Sequence, residues 1–252
     1  MRLLTLPAIV LWLSVPCVLP ASGFTLVAFG DSTTAPRKGV DPYSELLRRE
    51  WEAKGEVGIK VVNAGVLGNT TKAGRARFAD DVLAQRPDLV IIQFGINDSA
   101  VDGWKKPPVT VPRVALADFE ANMEFFVVSC LAWGAKVIVM TPNPLQWTPQ
   151  LKAMYGRPPY DPEDPDGFNV LLRVYAETAR KVARRTGAFL IDVMAVHDAW
   201  RKESSEVLLM DGIHPNQKGH ELTAQLLLEL IERERLFPPP AKGEEIHQAI
   251  RN

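Results

Sequence analysis

Four short segments of this chain hold the residue types that acyl transfer needs: Gly30-Asp31-Ser32-Thr33, the run Asn63 to Thr71, Gly95-Ile96-Asn97-Asp98, and Asp211-Gly212-Ile213-His214-Pro215-Asn216. Together they offer a serine hydroxyl as nucleophile, an imidazole to take its proton and a carboxylate to orient that imidazole. A glycine N–H and an asparagine amide can hold a developing oxyanion. Asp211 stands three residues before His214, close enough to reach the ring Nδ1–H and leave Nε2 free for the Ser32 proton. Pro215 pushes His214 out of the α region and suits the first position of a following helix, which keeps the imidazole on a short rigid loop. Each residue alone also has an ordinary structural role. Ser32 could cap a helix, Gly68 could serve a turn with positive φ, Asn97 could cap or close an Asx-turn, and His214 could sit on a solvated turn. His197, His220 and His247 lack such a setting and read as exposed or structural. Asp192 is a rival orienting acid without a partner near it in sequence.

These segments do chemistry only if one fold brings them together. Short apolar runs at 24–29, 58–63, 88–94, 136–140 and 188–192 alternate with amphipathic helical patterns at 41–54, 72–85, about 113–133, 168–186 and 216 to about 235. Gly134 and Gly187 stand in helix-stop positions. In the second helical pattern Ala76, Ala79, Val82 and Leu83 share a face, and in the third Leu116, Phe119, Met123, Phe126 and Cys130 are expected to be buried. Nearly continuous apolar strands separated by helices fit a parallel sheet covered on both faces, because each parallel connection must cross a face. The fold class is therefore α/β, a single three-layer α/β/α domain over 24–235. Ligands of such sheets bind beyond the C-terminal strand ends, where the first three segments lie. Ser32 is expected where the first strand turns into a helix, whose positive end would favour negative charge beside it.

The composition narrows the partners. Of 252 residues, 29 are Lys or Arg and 30 are Asp or Glu, a net charge of −1 that leaves no basic surplus for a phosphate backbone and argues against nucleic acid. Residues 1–23 read as a secretory signal peptide: Arg2, an apolar run from Leu3 to Leu19, then Ala21-Ser22-Gly23. The run is short for a bilayer and carries Pro7 and Pro16, so cleavage after Gly23 and no stable membrane insertion are expected. Pro16 makes Cys17 a poor match to a lipid-attachment site. Cleavage leaves Cys130 without a disulfide partner in its own chain. Residues 236–252, with Pro238 to Pro240 and a charged end, read as a loose tail.

In their order and at these strand ends, the four segments resemble the blocks of the GDSL or SGNH hydrolase superfamily, over about Phe24 to Arg235. The resemblance implies a flavodoxin-like sheet of order 2-1-3-4-5 with no metal or cofactor. It implies Ser32 as nucleophile and, with its own N–H, first oxyanion donor, Gly68 as backbone donor, Asn97 as side-chain donor, and Asp211 and His214 as acid and base. Gly65 competes with Gly68, and Asn69-Thr70-Thr71 favours Gly68 by matching the family's run after the oxyanion glycine. Thr33-Thr34-Ala35 departs from the hydrophobic residue many relatives carry after the serine. A serine esterase of this kind loses activity as acid protonates its base.

The substrate is less legible. Val101 to Pro112 contains Trp104, and Pro142 to Gly167 contains Trp147, Tyr155 and Tyr160 among many prolines; long loops at the functional edge often shape specificity. Trp104, Trp147 and Tyr155 could offer flat apolar faces to sugar rings, or could pack the loops onto the sheet. With similarity to rhamnogalacturonan-acetylesterase-like proteins, these features point to a small-molecule or saccharide ester, with acetyl removed from a carbohydrate. A lipid- or thioester-directed esterase, a sugar O-acyltransferase and a silent carbohydrate-binding module are the other readings.

Overall fold

The computed structural model describes residues 23–56 and 58–237. The expected leader up to residue 22, the tail from 238 and His247 lie outside the described residues. Of the loose tail expected over 236–252, Leu236 is instead buried and Phe237 stacks on Trp51 at 5.4 Å, because their apolar side chains gain by packing on the face of the sheet that carries Trp51. Five strands, β1 (Thr25–Gly30), β2 (Lys60–Gly65), β3 (Leu89–Gln93), β4 (Lys136–Met140) and β5 (Phe189–Ile191), form one sheet in the order β2-β1-β3-β4-β5. Every pairing is parallel, so each connection crosses a face of the sheet. The register sets the strand ends level: Gly30 pairs with Gly65 and Gln93, Gln93 with Met140, and Met140 with Ile191. The segments that follow β1, β2 and β3 therefore leave one edge of the sheet together.

Alternating strand residues feed two cores. Val27, Phe29, Val90 and Ile92 face one way, toward helices α2 (Thr71–Asp81), α4 (Leu116–Trp133) and α6 (Leu172–Thr186). Leu26, Ala28, Leu89 and Ile91 face the other, toward α1 (Tyr43–Ala53) and α8 (Gln217–Arg233). Phe29 sits among Phe78, Phe94 and Phe126 with ring centroids 5.1 to 5.6 Å away; truncating such a ring typically costs about 3–5 kcal/mol. Cys130 is buried in the same core, where burial pushes its thiol up to about 12. Gly134 and Gly187 end α4 and α6 in the left-handed conformation.

Three further expectations need correction. Ala76 and Ala79 are exposed, and α2 instead buries Thr71, Gly74 and Phe78. The phenyl ring has far more apolar area to remove from water than two methyl groups, so it takes the core side. Leu116 is also exposed, because it starts α4 rather than lying one turn inside it. Three helices lie where the apolar patterning predicts none: α3 (Ile96–Ser99), α5 (Pro149–Tyr155) and α7 (Val193–Glu203). Among the described residues, no helix is long and apolar enough to cross a membrane.

Candidate active site

Ser32 does not cap a helix. Beyond β1 the N–H groups of Thr34 and Ala35 both donate to the Asp31 carbonyl, which closes a tight turn around Ser32, and α1 begins only at Tyr43. Pro36 and the Arg37 to Val40 turn separate the two, so no regular helix N-terminus stands at the serine. The buried Asp31 carboxylate accepts from the Thr33 N–H at 2.9 Å and braces this turn. Burial pushes that carboxyl up to about 6, against the pull of its hydrogen bonds from Thr33 and Asn97.

The last segment forms a loop closed by a bridge between Leu209 and Pro215. Pro215 lies before the N-cap of α8, and Asn216 is the cap, accepting from the Gly219 N–H at 2.9 Å. Pro215 is thus not the first helical residue, because the Asn216 side chain satisfies the helix end instead. Asn143 and Gln146 anchor the loop, with the Asn143 amide donating to the Ile213 carbonyl at 2.9 Å and the Gln146 N–H to that of Gly212 at 2.8 Å.

This loop carries His214 to Ser32: Nε2 lies 3.0 Å from the Ser32 Oγ, and Nδ1 lies 2.7 Å from Asp211 Oδ2. Asp211 Oδ1 accepts from the N–H groups of Ile213 and His214 at 3.0 and 2.8 Å. Partial burial pushes the Asp211 carboxyl up, yet the hydrogen bonds from His214 and Ile213 outweigh it and hold the group below its ordinary value. An ionised Asp211 keeps the ring proton on Nδ1 and leaves Nε2 as acceptor. The arrangement can therefore move a proton from the serine to the imidazole.

Ser32, Gly68, Asn97 and His214 line one cavity of about 330 Å³. Gly68 has φ +72°, a conformation that a side chain would strain, and a Cβ there would meet open space. Gly65 instead lies against the backbone of Thr34 and Ala35, where a Cβ would come within 2.3 Å of the Ala35 nitrogen. Asn97 lies in α3, with its amide nitrogen 3.5 Å from Asp31 Oδ2 and its Oδ1 accepting from Arg113 at 3.1 Å. Asp98 binds the second segment to the third by accepting from the Thr71 N–H at 2.8 Å.

Of the three aromatic residues singled out in the sequence, Tyr155 lines the cavity, while Trp104 and Trp147 are not among its lining residues. Trp147 stacks on Phe168 at 4.3 Å and donates from its indole N–H to the Asp164 carbonyl; Trp104 lies beside Lys105 on the surface. Phe168 and Tyr160 supply more of the wall, together with Arg37 and Arg113. Local patterning gave no signal for the two arginines.

Asp192 does not meet His214. It caps α7 and pairs with Arg180 at 2.8 and 2.9 Å. His197 and His220 are both buried, and burial lowers each to about 4. Their folded values lie below the unfolded one, so their contribution is complete above about pH 6.5 and is lost as pH falls toward 4. The buried Asp31 and Asp98, each pushed up to about 6 mainly by burial, give the opposite slope. His220 Nδ1 accepts from the Tyr43 N–H, a role an asparagine oxygen can fill. His220→Asn is therefore expected to lose about 2 kcal/mol less stability than the parent between pH 7 and 4.5, measured by denaturant unfolding at both values. An equal loss in the two proteins would contradict this. Among the described residues, no group of three or more His, Cys, Asp or Glu is placed to hold a metal ion.

Comparison with known proteins agrees with this architecture. A sequence profile of the GDSL-like lipase/acylhydrolase family matches residues 28–222, and the chain belongs to that family, whose members define it as a carboxylic ester hydrolase. An acetylxylan esterase from Geobacillus stearothermophilus is 28% identical over 70% of this chain and 74% of its own. A crystal structure of an acetylxylan esterase from that organism superposes with a TM-score of 0.66 at 27% identity, covering 82% of this chain and 94% of the other. Catalytic mutants of that esterase replace a serine, an aspartate and a histidine. The thioesterase 1/protease 1/lysophospholipase L1 of Escherichia coli K12 is 24% identical over 84% of this chain and 85% of its own.

Proposed function

We propose that the chain hydrolyses short-chain esters, chiefly acetyl, on a carbohydrate, through an acyl-enzyme on Ser32. The observation that carries this reading is the continuous line from Asp211 through His214 to Ser32 at the wall of the cavity. His214 takes the hydroxyl proton at Nε2 while Oγ bonds to the ester carbonyl carbon. The oxyanion that forms is held by the N–H groups of Ser32 and Gly68 and the amide of Asn97. Collapse breaks the bond to the alcohol oxygen, which leaves with the proton from His214. Water then attacks the acyl-enzyme by the same route and releases the acid and Ser32.

The similarity to acetylxylan esterases supports an acetylated saccharide, and export, expected from residues 1–23, fits a polymeric substrate. The apolar wall of Leu145, Tyr160 and Phe168 would also receive a longer acyl chain, the reading that accompanies the E. coli relative. Acetate release from acetylated xylo-oligosaccharides, compared with cleavage of acetyl, butyryl and octanoyl nitrophenyl esters, separates the two. Preference for acetyl with release from the oligosaccharide is expected; preference for octanoyl with no release from the saccharide would overturn the carbohydrate reading. An added sugar acceptor that gains acyl groups faster than water does would make the protein a transferase.

Asn97→Ala tests the oxyanion assignment. Turnover should fall roughly a hundredfold or more with the fold retained, as judged by steady-state kinetics beside a thermal melt. Turnover equal to the parent's would remove Asn97 from the chemistry.

A further inference from the structure

Arg113 returns to Asn97 at the end of the Val101 to Pro112 insertion. Its N–H donates to the Ala100 carbonyl at 3.0 Å and the next residue's N–H to that of Asp98 at 3.1 Å, so the main chain closes on the residues just after Asn97. The guanidinium forks onto Asp102, with Nε and Nη2 at 3.1 and 2.7 Å, while Nη1 donates to Asn97 Oδ1 at 3.1 Å. The Asp102 side chain is only 4% exposed. Its hydrogen bonds from Arg113, and then from Lys105, overcome burial and hold the carboxyl below its ordinary value, so the acceptor of the fork stays charged.

A primary amide can sit in two orientations related by exchange of its oxygen and nitrogen. In the observed one, oxygen faces a cation and nitrogen faces the Asp31 carboxylate across a long 3.5 Å contact. The exchanged orientation would set the amide N–H groups against the guanidinium and the oxygen against a carboxylate. We propose that Arg113, held by Asp102, is a positioning residue that keeps the Asn97 amide turned so that one N–H meets Asp31 and the other is left for the oxyanion. This gives the Val101 to Pro112 insertion a role in the chemistry, and it rests on the reading of Asn97 as an oxyanion donor. The guanidinium also draws charge from the amide oxygen, which strengthens the N–H groups as donors.

The test is a double-mutant cycle on acetyl ester cleavage, with thermal melts as a check on folding. Arg113→Ala is expected to lower kcat about tenfold, less than deletion of the donor itself, with KM little changed. In the Asn97→Ala background the same change is expected to cost nothing further, because the group it orients is gone. Asp102→Asn should behave like Arg113→Ala. Arg113→Lys, which keeps the charge but cannot fork, should fall between Arg113→Ala and the parent. These two variants carry the cycle if Arg113→Ala does not fold. An equal cost with and without Asn97, or a rise in KM at unchanged kcat, would overturn the proposal by making Arg113 a substrate contact or a brace of the fold. A parent that cleaves no ester, or an Asn97→Ala variant with the parent's turnover, would instead bring down the reading of the site, and the proposal with it.

Discussion

Ser32→Ala is expected to lower ester hydrolysis by on the order of 10⁴-fold or more, with the melting transition unchanged within a few degrees. The Ser32 hydroxyl makes its hydrogen bond to His214 Nε2, and the turn around it is closed by backbone bonds to Asp31, so its loss removes the proposed nucleophile and leaves the turn standing. Cavity, Asn97 and Gly68 all survive in this variant, and saccharide binding should survive with them. Initial rates beside a binding titration measure both. A variant within tenfold of the parent would mean that another group attacks the ester, or that water does so without a covalent step. Binding that persists in a parent with no hydrolysis at all would point to a silent carbohydrate-binding module.

Asp211→Asn should be nearly as damaging, lowering kcat by roughly 10³- to 10⁴-fold. One carboxylate oxygen accepts from two backbone N–H groups and the other faces the His214 ring. An asparagine can keep the first set with its oxygen, which turns its NH₂ toward the imidazole. The ring must then accept at Nδ1 and carry its proton on Nε2, the atom that has to accept from Ser32. The loop geometry is retained while the tautomer is reversed, so the loss should fall on kcat rather than KM. A change of less than tenfold would reduce Asp211 to a brace of the 209–215 loop.

The strands are legible because runs such as Leu89-Val90-Ile91-Ile92 are short, rich in β-branched residues and apolar on both faces, as a sheet covered on both sides requires. The helix α5 is masked by its proline-rich stretch, although Thr148 followed by Pro149 is a helix-start signal and Thr148 does cap it. The setting of Ser32 is not legible, because Asp-Ser-Thr-Thr suits a helix start as well as the tight turn that stands there, and the helix begins only at Tyr43. Patterning could nominate Ser32, Gly68, Asn97, Asp211 and His214 as types, but their meeting depends on strand register and on a contact between residues 182 positions apart. The aromatic wall shows the same limit. Trp147 was as plausible a platform as Tyr155 until its stacking on Phe168 turned it to packing, and the bond from Arg113 to Asn97 depends on how a whole insertion folds back.

The most direct test of the covalent mechanism is to treat the purified protein with a nitrophenyl phosphonate ester, which traps an activated serine, and to locate the added mass by peptide mapping. A single adduct on Ser32, absent in Ser32→Ala and formed far more slowly in His214→Ala, is the expected result. An adduct on another residue, or ester hydrolysis by a protein that takes up no phosphonate, would contradict it.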